Sequence, residues 1–179
     1  GMTGAGVLSG LSALRTGAGV VYLGVPASLS AVYDASLTEA VIIPLEDRGT
    51  GVLAPDSAGQ IAAGMEGKTV VAAGPGLSGN RDILEAVAGV IRKSTVPLVL
   101  DADALNAISR EVCVLKELKC EAVLTPHPGE MSRLMGISIP EVQNNRVEAA
   151  VEFACRWNII MVLKGSRTVT ALPDGTVYI

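Results

Sequence analysis

Two spacings of apolar residues alternate along the chain. Between residues 4 and 17, Val7, Leu8, Leu11 and Leu14 recur three or four positions apart, with Gly4, Gly10 and Ser12 leaving small gaps, and this spacing predicts a helix. Gly17-Ala18-Gly19 ends it, and residues 20–23 read as a strand. A short helix near 27–34 leads to a strand at 40–43. Residues 46–66 are the least regular, rich in Gly, Asp and Pro, with a helical stretch at 58–65. A strand at 69–73, a glycine-rich turn and a helix at 81–93 follow. Asn80 is placed to cap that helix, with apolar positions at 83, 84, 87, 88, 90 and 91. The alternation continues with strand 97–101, helix 104–117, strand 121–124, helix 141–157 and strand 159–163. A hairpin, 168–172 and 176–179 around Pro173-Asp174-Gly175, closes the chain.

Several strands, such as Pro97-Leu98-Val99-Leu100 and Ile159-Ile160-Met161-Val162-Leu163, are continuously apolar. Strands of that kind are covered on both faces, which predicts a doubly wound three-layer α/β/α domain with a mostly parallel sheet. The chain opens inside a small-residue helix start with no strand before it and stops at Ile179 within a strand. The expectation is a single partial domain over residues 1–179, incomplete at both termini.

Composition narrows the classes. Of 179 residues, 49% are hydrophobic but only 3% aromatic, so the core is aliphatic and the chain is no disordered segment. A net charge of −4 with no basic cluster leaves no footprint for nucleic acid or an acidic membrane surface. Three cysteines (Cys113, Cys120, Cys155) lack metal-like spacing and read as buried thiols in a reducing, cytoplasmic compartment. The weakly charged opening, residues 1–33, is broken by Gly10, Gly17, Gly19, Gly24 and Pro26 and is too interrupted for a spanning helix.

Candidate chemistry gathers in four loops at the carboxyl ends of the expected strands, where open α/β sheets bind ligands. Gly74-Pro75-Gly76-Leu77 lets backbone N–H groups approach a phosphate or sugar, or is an ordinary strand-to-helix turn. Asp101-Ala102-Asp103-Ala104-Leu105-Asn106 offers two carboxylates and an amide, to orient a substrate hydroxyl, to hold Mg²⁺ indirectly, or, at Asp103, to cap a helix. Thr125-Pro126-His127-Pro128-Gly129-Glu130 holds the sole histidine in a rigid frame, able to donate a hydrogen bond or move a proton, while Glu130 caps a helix start or faces a ligand. Lys164-Gly165-Ser166-Arg167-Thr168 suits a phosphate, or is a solvated hairpin entry. Neither a Gly-x4-Gly-Lys-Ser/Thr loop nor a Gly-x-Gly-x-x-Gly turn after the first strand is present.

In order along the chain, Gly4-Ala5, Arg15-Thr16-Gly17-Ala18-Gly19, Gly74-Pro75-Gly76-Leu77, Asp101 to Asn106, Thr125 to Glu130 and Leu163 to Thr168 resemble the ADP-dependent NAD(P)H-hydrate dehydratases, lyases of ribokinase-like fold. The resemblance implies nicotinamide nucleotide repair. Hydrated NADH or NADPH loses water with ADP or ATP as co-substrate and Mg²⁺, by phosphoryl transfer to the C6 hydroxyl and loss of phosphate. It implies substrate contacts at Ala5, Gly76 and His127, a nucleotide loop at Lys164, Gly165, Ser166, Arg167 and Thr168, and supporting roles for Asp101 and Asn106. It also implies a homo-oligomer, tetrameric or larger. The family's catalytic acidic residue, in a Gly-Asp segment, is expected downstream of Ile179, so the 179-residue piece alone is expected to be inactive. Alternatives are a small-molecule kinase of the same fold and a non-catalytic nucleotide-binding module.

Overall fold

Four apolar strands lying side by side and pointing the same way organise the molecule. The computed structural model describes residues 2–79 and 83–179, and among them eight strands and eight α-helices. Strands β3 (Val71–Ala73), β4 (Leu98–Leu100), β5 (Ala122–Leu124) and β6 (Ile160–Leu163) pair in parallel in that order. β7 (Val169–Ala171) and β8 (Val177–Tyr178) extend the same sheet antiparallel, as the hairpin pattern predicts. Leu98, Leu100, Leu124, Met161 and Leu163 have no exposed surface, and the residues between them are partly covered by the second layer.

Helix α4 (Ile83–Lys93) lays Ile83, Val87, Val90 and Ile91 into this core, the i, i+4, i+7, i+8 set of one helical face. The proposed Asn80 cap lies outside the described residues. α3 (Ser57–Met65) packs on α4, and α8 (Arg146–Trp157) buries Ala149, Ala150, Phe153 and Ala154 against β6 and β7. The parallel α/β expectation is borne out, with one difference. β1 (Tyr22–Pro26) and β2 (Val41–Leu45) form a separate two-stranded parallel sheet. With α1 (Thr3–Arg15) and α2 (Ser30–Ser36) they surround a smaller cluster, Val25, Tyr33 and Leu37.

Two predicted helices are each divided. The stretch expected at 104–117 is α5 (Asp103–Ile108) followed by a 3₁₀ segment, Val112–Glu117. The stretch expected at 141–157 is α7 (Ile139–Asn144) and α8. Ser138 caps α7, with Pro140 in its first turn, and Asn145 leaves helical geometry at φ −130°, ψ 48°. The apolar period runs through the break because both pieces pack on the same core. Strand edges are shorter than predicted by one or two residues, and β1 and β2 lie slightly later. The cysteines correct another expectation: Cys113 and Cys155 are exposed and only Cys120 is partly covered, all as free thiols. No helix among the described residues is long and apolar enough to cross a membrane.

Candidate active-site rim

Because β3, β4, β5 and β6 are adjacent and parallel, the residues that follow them share one rim: Gly74 to Gly76, Asp101, Thr125 to His127, and Lys164. Neighbouring loops touch through specific atoms. Gly74 has φ +140° and packs on the Asp101 peptide so closely that a Cβ would lie 1.7 Å from the Asp101 carbonyl oxygen. Gly76, at φ +80°, is pressed against the start of α1, where a Cβ would lie 2.8 Å from Met2 O and 3.3 Å from the Ala5 Cβ. Ala5 and Gly76, about seventy chain positions apart, are therefore neighbours, and both glycines are required by backbone approach.

At the next strand, Asp101 Oδ1 accepts from Lys164 Nζ at 2.6 Å. Both side chains stay partly open to solvent, and Lys164 keeps two more ammonium donors for a ligand. The Lys164 amide donates to Pro126 O at 2.8 Å, so the lysine ties β4, β5 and β6 together at their carboxyl ends. Asn106 sits further from the rim, where its Oδ1 accepts from Arg133 Nε at 2.9 Å and joins α5 to α6 (Pro128–Met135).

Asp103 does not cap its helix. The cap position is Ala102, a non-glycine residue at φ +49°, and Asp103 Oδ2 instead accepts from the Ser78 amide at 2.9 Å, bracing the loop after β3. His127 also takes a role the pattern had assigned only to Glu130. Its Nδ1 accepts from the Gly129 and Glu130 amides at 3.0 and 3.4 Å, while Glu130 Oε2 accepts from the His127 amide at 2.8 Å, a reciprocal capping box. Glu130, 5% exposed, also faces His127 Nε2 across 3.3 Å. The imidazole is thus committed to the start of α6, and its exposed half is what remains for a ligand. Ser166, Arg167 and Thr168 are exposed beyond Lys164, with Thr168 Oγ1 donating to Gly165 O at 3.1 Å.

Two residues that pattern reading passed over are each held by several partners. Asp47, 3% exposed after β2, accepts from the Ser28 hydroxyl and from the amides of Ser28, Gly49 and Gly51. The Ser28 hydroxyl, more than any other partner, holds its carboxyl below the usual range, against the opposing effect of burial and with help from the Gly51 and Gly49 amides. Its signal was present in the Asp-x-Gly-x-Gly spacing of a tight loop. The other is Arg146, whose position is set by the break after Asn144-Asn145. Among the described residues no cluster of His, Cys, Asp and Glu could hold a metal ion by itself.

A family model described as NAD(P)H-hydrate dehydratase matches residues 1–179. The chain belongs to the NAD(P)H-hydrate dehydratase family. A bifunctional NAD(P)H-hydrate repair enzyme of Moorella thermoacetica is 39% identical over 179 residues, covering all of this chain and 34% of the relative. An ADP-dependent (S)-NAD(P)H-hydrate dehydratase of Bacillus subtilis is 33% identical over 178 residues, covering 99% of this chain and 59% of the relative. The chain thus spans about a third to six-tenths of the length of these curated relatives. A crystal structure of the ADP/ATP-dependent dehydratase from Bacillus subtilis, co-crystallised with ATP/Mg²⁺, superposes with a TM-score of 0.77 at 31% identity, over 99% of this chain and 58% of that one. A ribokinase-like superfamily protein from Enterococcus faecalis, TM-score 0.74 at 19% identity over 93% of this chain and 55% of that one, shares the fold. The ribokinase-like fold expected from the motifs is borne out.

Proposed function

We propose that this chain supplies the substrate- and nucleotide-binding rim of an ADP- or ATP-dependent NAD(P)H-hydrate dehydratase. The observation that carries the reading is the Lys164 junction, where one residue meets Asp101 through its side chain and Pro126 through its amide. It gathers three of the motifs that resemble the family onto one edge. Ala5 and Gly76 adjoin there and offer a small-residue floor with close backbone approach, suited to a dinucleotide. The exposed part of His127 borders the same edge. Lys164 and the exposed Gly165-Ser166-Arg167-Thr168 segment fit a nucleotide phosphate, with cation, backbone amide and hydroxyl donors close together.

In this reading the rim performs positioning and charge neutralisation. A phosphoryl group passes from the nucleotide to the C6 hydroxyl of the hydrated nicotinamide, and phosphate then leaves where hydroxide would not. Lys164 offsets negative charge on the nucleotide phosphates, and Asp101 holds its ammonium in place. Mg²⁺ suits such a site when carried by the phosphates and water, since it usually keeps several waters and needs few protein carboxylates. The acidic group that activates the hydroxyl is assigned to the part of the relatives' length that residues 1–179 do not cover. Cytoplasm is the proposed compartment.

The decisive experiment follows the recovery of reduced-nicotinamide absorbance when the full-length protein meets hydrated NADH, Mg²⁺ and ADP. Recovery that needs both nucleotide and protein is expected. Binding of ADP without recovery would leave only a nucleotide-binding module, and ADP formation from ATP with an unrelated alcohol would favour the kinase reading.

A further inference from the structure

One guanidinium claims the carbonyls that end β6. Arg146 opens α8 directly after the break at Asn145. Its Nη2 donates to Leu163 O at 2.9 Å and to Lys164 O at 3.2 Å, and its Nη1 donates to Gln143 Oε1 at 3.1 Å. Gly165 lies against the same group, because a Cβ there would sit 2.9 Å from both Nη1 and Nη2. The Nε atom is buried with no hydrogen-bond partner among the described residues. The guanidinium is therefore fixed by carbonyl oxygens and packing, with no carboxylate partner among the described residues.

A trans peptide turns its N–H away from the carbonyl of the preceding residue. With Leu163 O drawn to Arg146, the Lys164 amide points the opposite way, and it meets Pro126 O at 2.8 Å. By the same geometry, holding Lys164 O on Arg146 turns the Gly165 N–H away from α8, on the exposed loop that begins at the Lys164 side chain. We propose that Arg146 is a positioning residue for the nucleotide: it sets the 164–165 peptide so that the Gly165 amide and the Lys164 ammonium address the same phosphate. The inference rests on the reading of Lys164 to Thr168 as the nucleotide loop. It adds a residue outside that loop and a reason for Gly165, whose missing Cβ gives the guanidinium room at φ +150°. A lysine cannot reproduce the arrangement, since an ammonium is a point charge without the planar fork that meets two carbonyls and a side-chain amide together.

The test uses the full-length protein with Arg146→Lys and Arg146→Ala, each checked for folding by thermal melting, and ADP as the probe. In the lysine variant the Kd for ADP by calorimetry and the KM for ADP should rise about tenfold, the loss expected when a charged donor of this kind is removed. The KM for hydrated NADH should stay within about twofold, and amide hydrogen exchange should quicken at 164–168 with little change elsewhere. A folded lysine variant with unchanged ADP affinity overturns the proposal whatever the exchange shows, and so does an equal rise in both KM values. If Arg146→Ala does not fold, the lysine variant decides. A wild-type protein that binds ADP but does not dehydrate the substrate sinks the dehydratase reading, while the calorimetry still judges Arg146.

Discussion

Gly74 sets the tolerance of the rim at the scale of single residues. An added methyl group would meet a backbone carbonyl at 1.7 Å, and neither partner is the free end of a flexible side chain. Backbone must move, and φ +140° strains any L-residue as well. Gly74→Ala is expected to lower stability by about 3 kcal/mol or more, the range reserved for strained backbone and overpacking. A denaturant midpoint within error of wild type would contradict the close packing of β3 on β4. Asp47 makes a different claim, about pH. Its folded-state pKa is depressed, so its contribution is fully present above the ordinary carboxylate value and is lost as pH falls through the lower, folded value. Asn at this position keeps one acceptor but aims an NH2 at amide and hydroxyl donors. The melting-temperature gap between wild type and Asp47→Asn should therefore be widest near neutrality and should narrow below about pH 4. A gap that stays constant down to pH 2 would mean that the carboxylate charge does not hold residues 47–51 together.

Among the elements, α6 shows how a motif can be legible while its mechanics are not. Two prolines, a histidine and a glycine after an apolar strand mark a rigid loop at the sheet edge, and the structure puts the loop there. The pattern does not say where the imidazole points, because histidine is an uncommon cap and Glu130 alone suffices for that role. Gly129 is the hidden clue: a Cβ there would lie 2.8 Å from the His127 ring. His127→Ala should cost about 1 kcal/mol of stability through the lost cap, and His127→Asn should recover most of it. If hydrated-NADH affinity falls in both variants while stability falls only in the alanine one, the ring has a ligand role beyond capping. If affinity follows stability, capping is its whole function. The helix breaks at Ser109–Glu111 and Asn145 were illegible for a related reason, since apolar spacing reports the buried face and continues across a kink. Single loop carboxylates such as Asp47 leave no periodic trace at all.

For the whole molecule, the sequence pattern supported a mostly parallel sheet with candidate loops at the strands' carboxyl ends, but not the spatial order of strands that makes those loops one rim. It could not supply the contacts across the rim, because residues 101, 126 and 164 meet only through the strand register. Those contacts predict which substitutions couple. Asp101 and Lys164 touch directly, so removing either disturbs the same ammonium, and ADP affinity in Asp101→Asn/Lys164→Met should fall short of the sum of the single losses by about 0.5 kcal/mol or more. Gly76 meets the rim from the other side, against Ala5 and Met2, and shares no partner with Lys164. Gly76→Ala is expected to raise the KM for hydrated NADH with little effect on ADP, and Lys164→Met the reverse. Combined, they should add within about 0.5 kcal/mol, as sites without common partners do. The two cycles, measured in the full-length protein, separate a rim that acts as one tightly coupled unit from two adjoining sites. Strong coupling between Gly76 and Lys164, equal to that between Asp101 and Lys164, would show the division into substrate and nucleotide halves to be false.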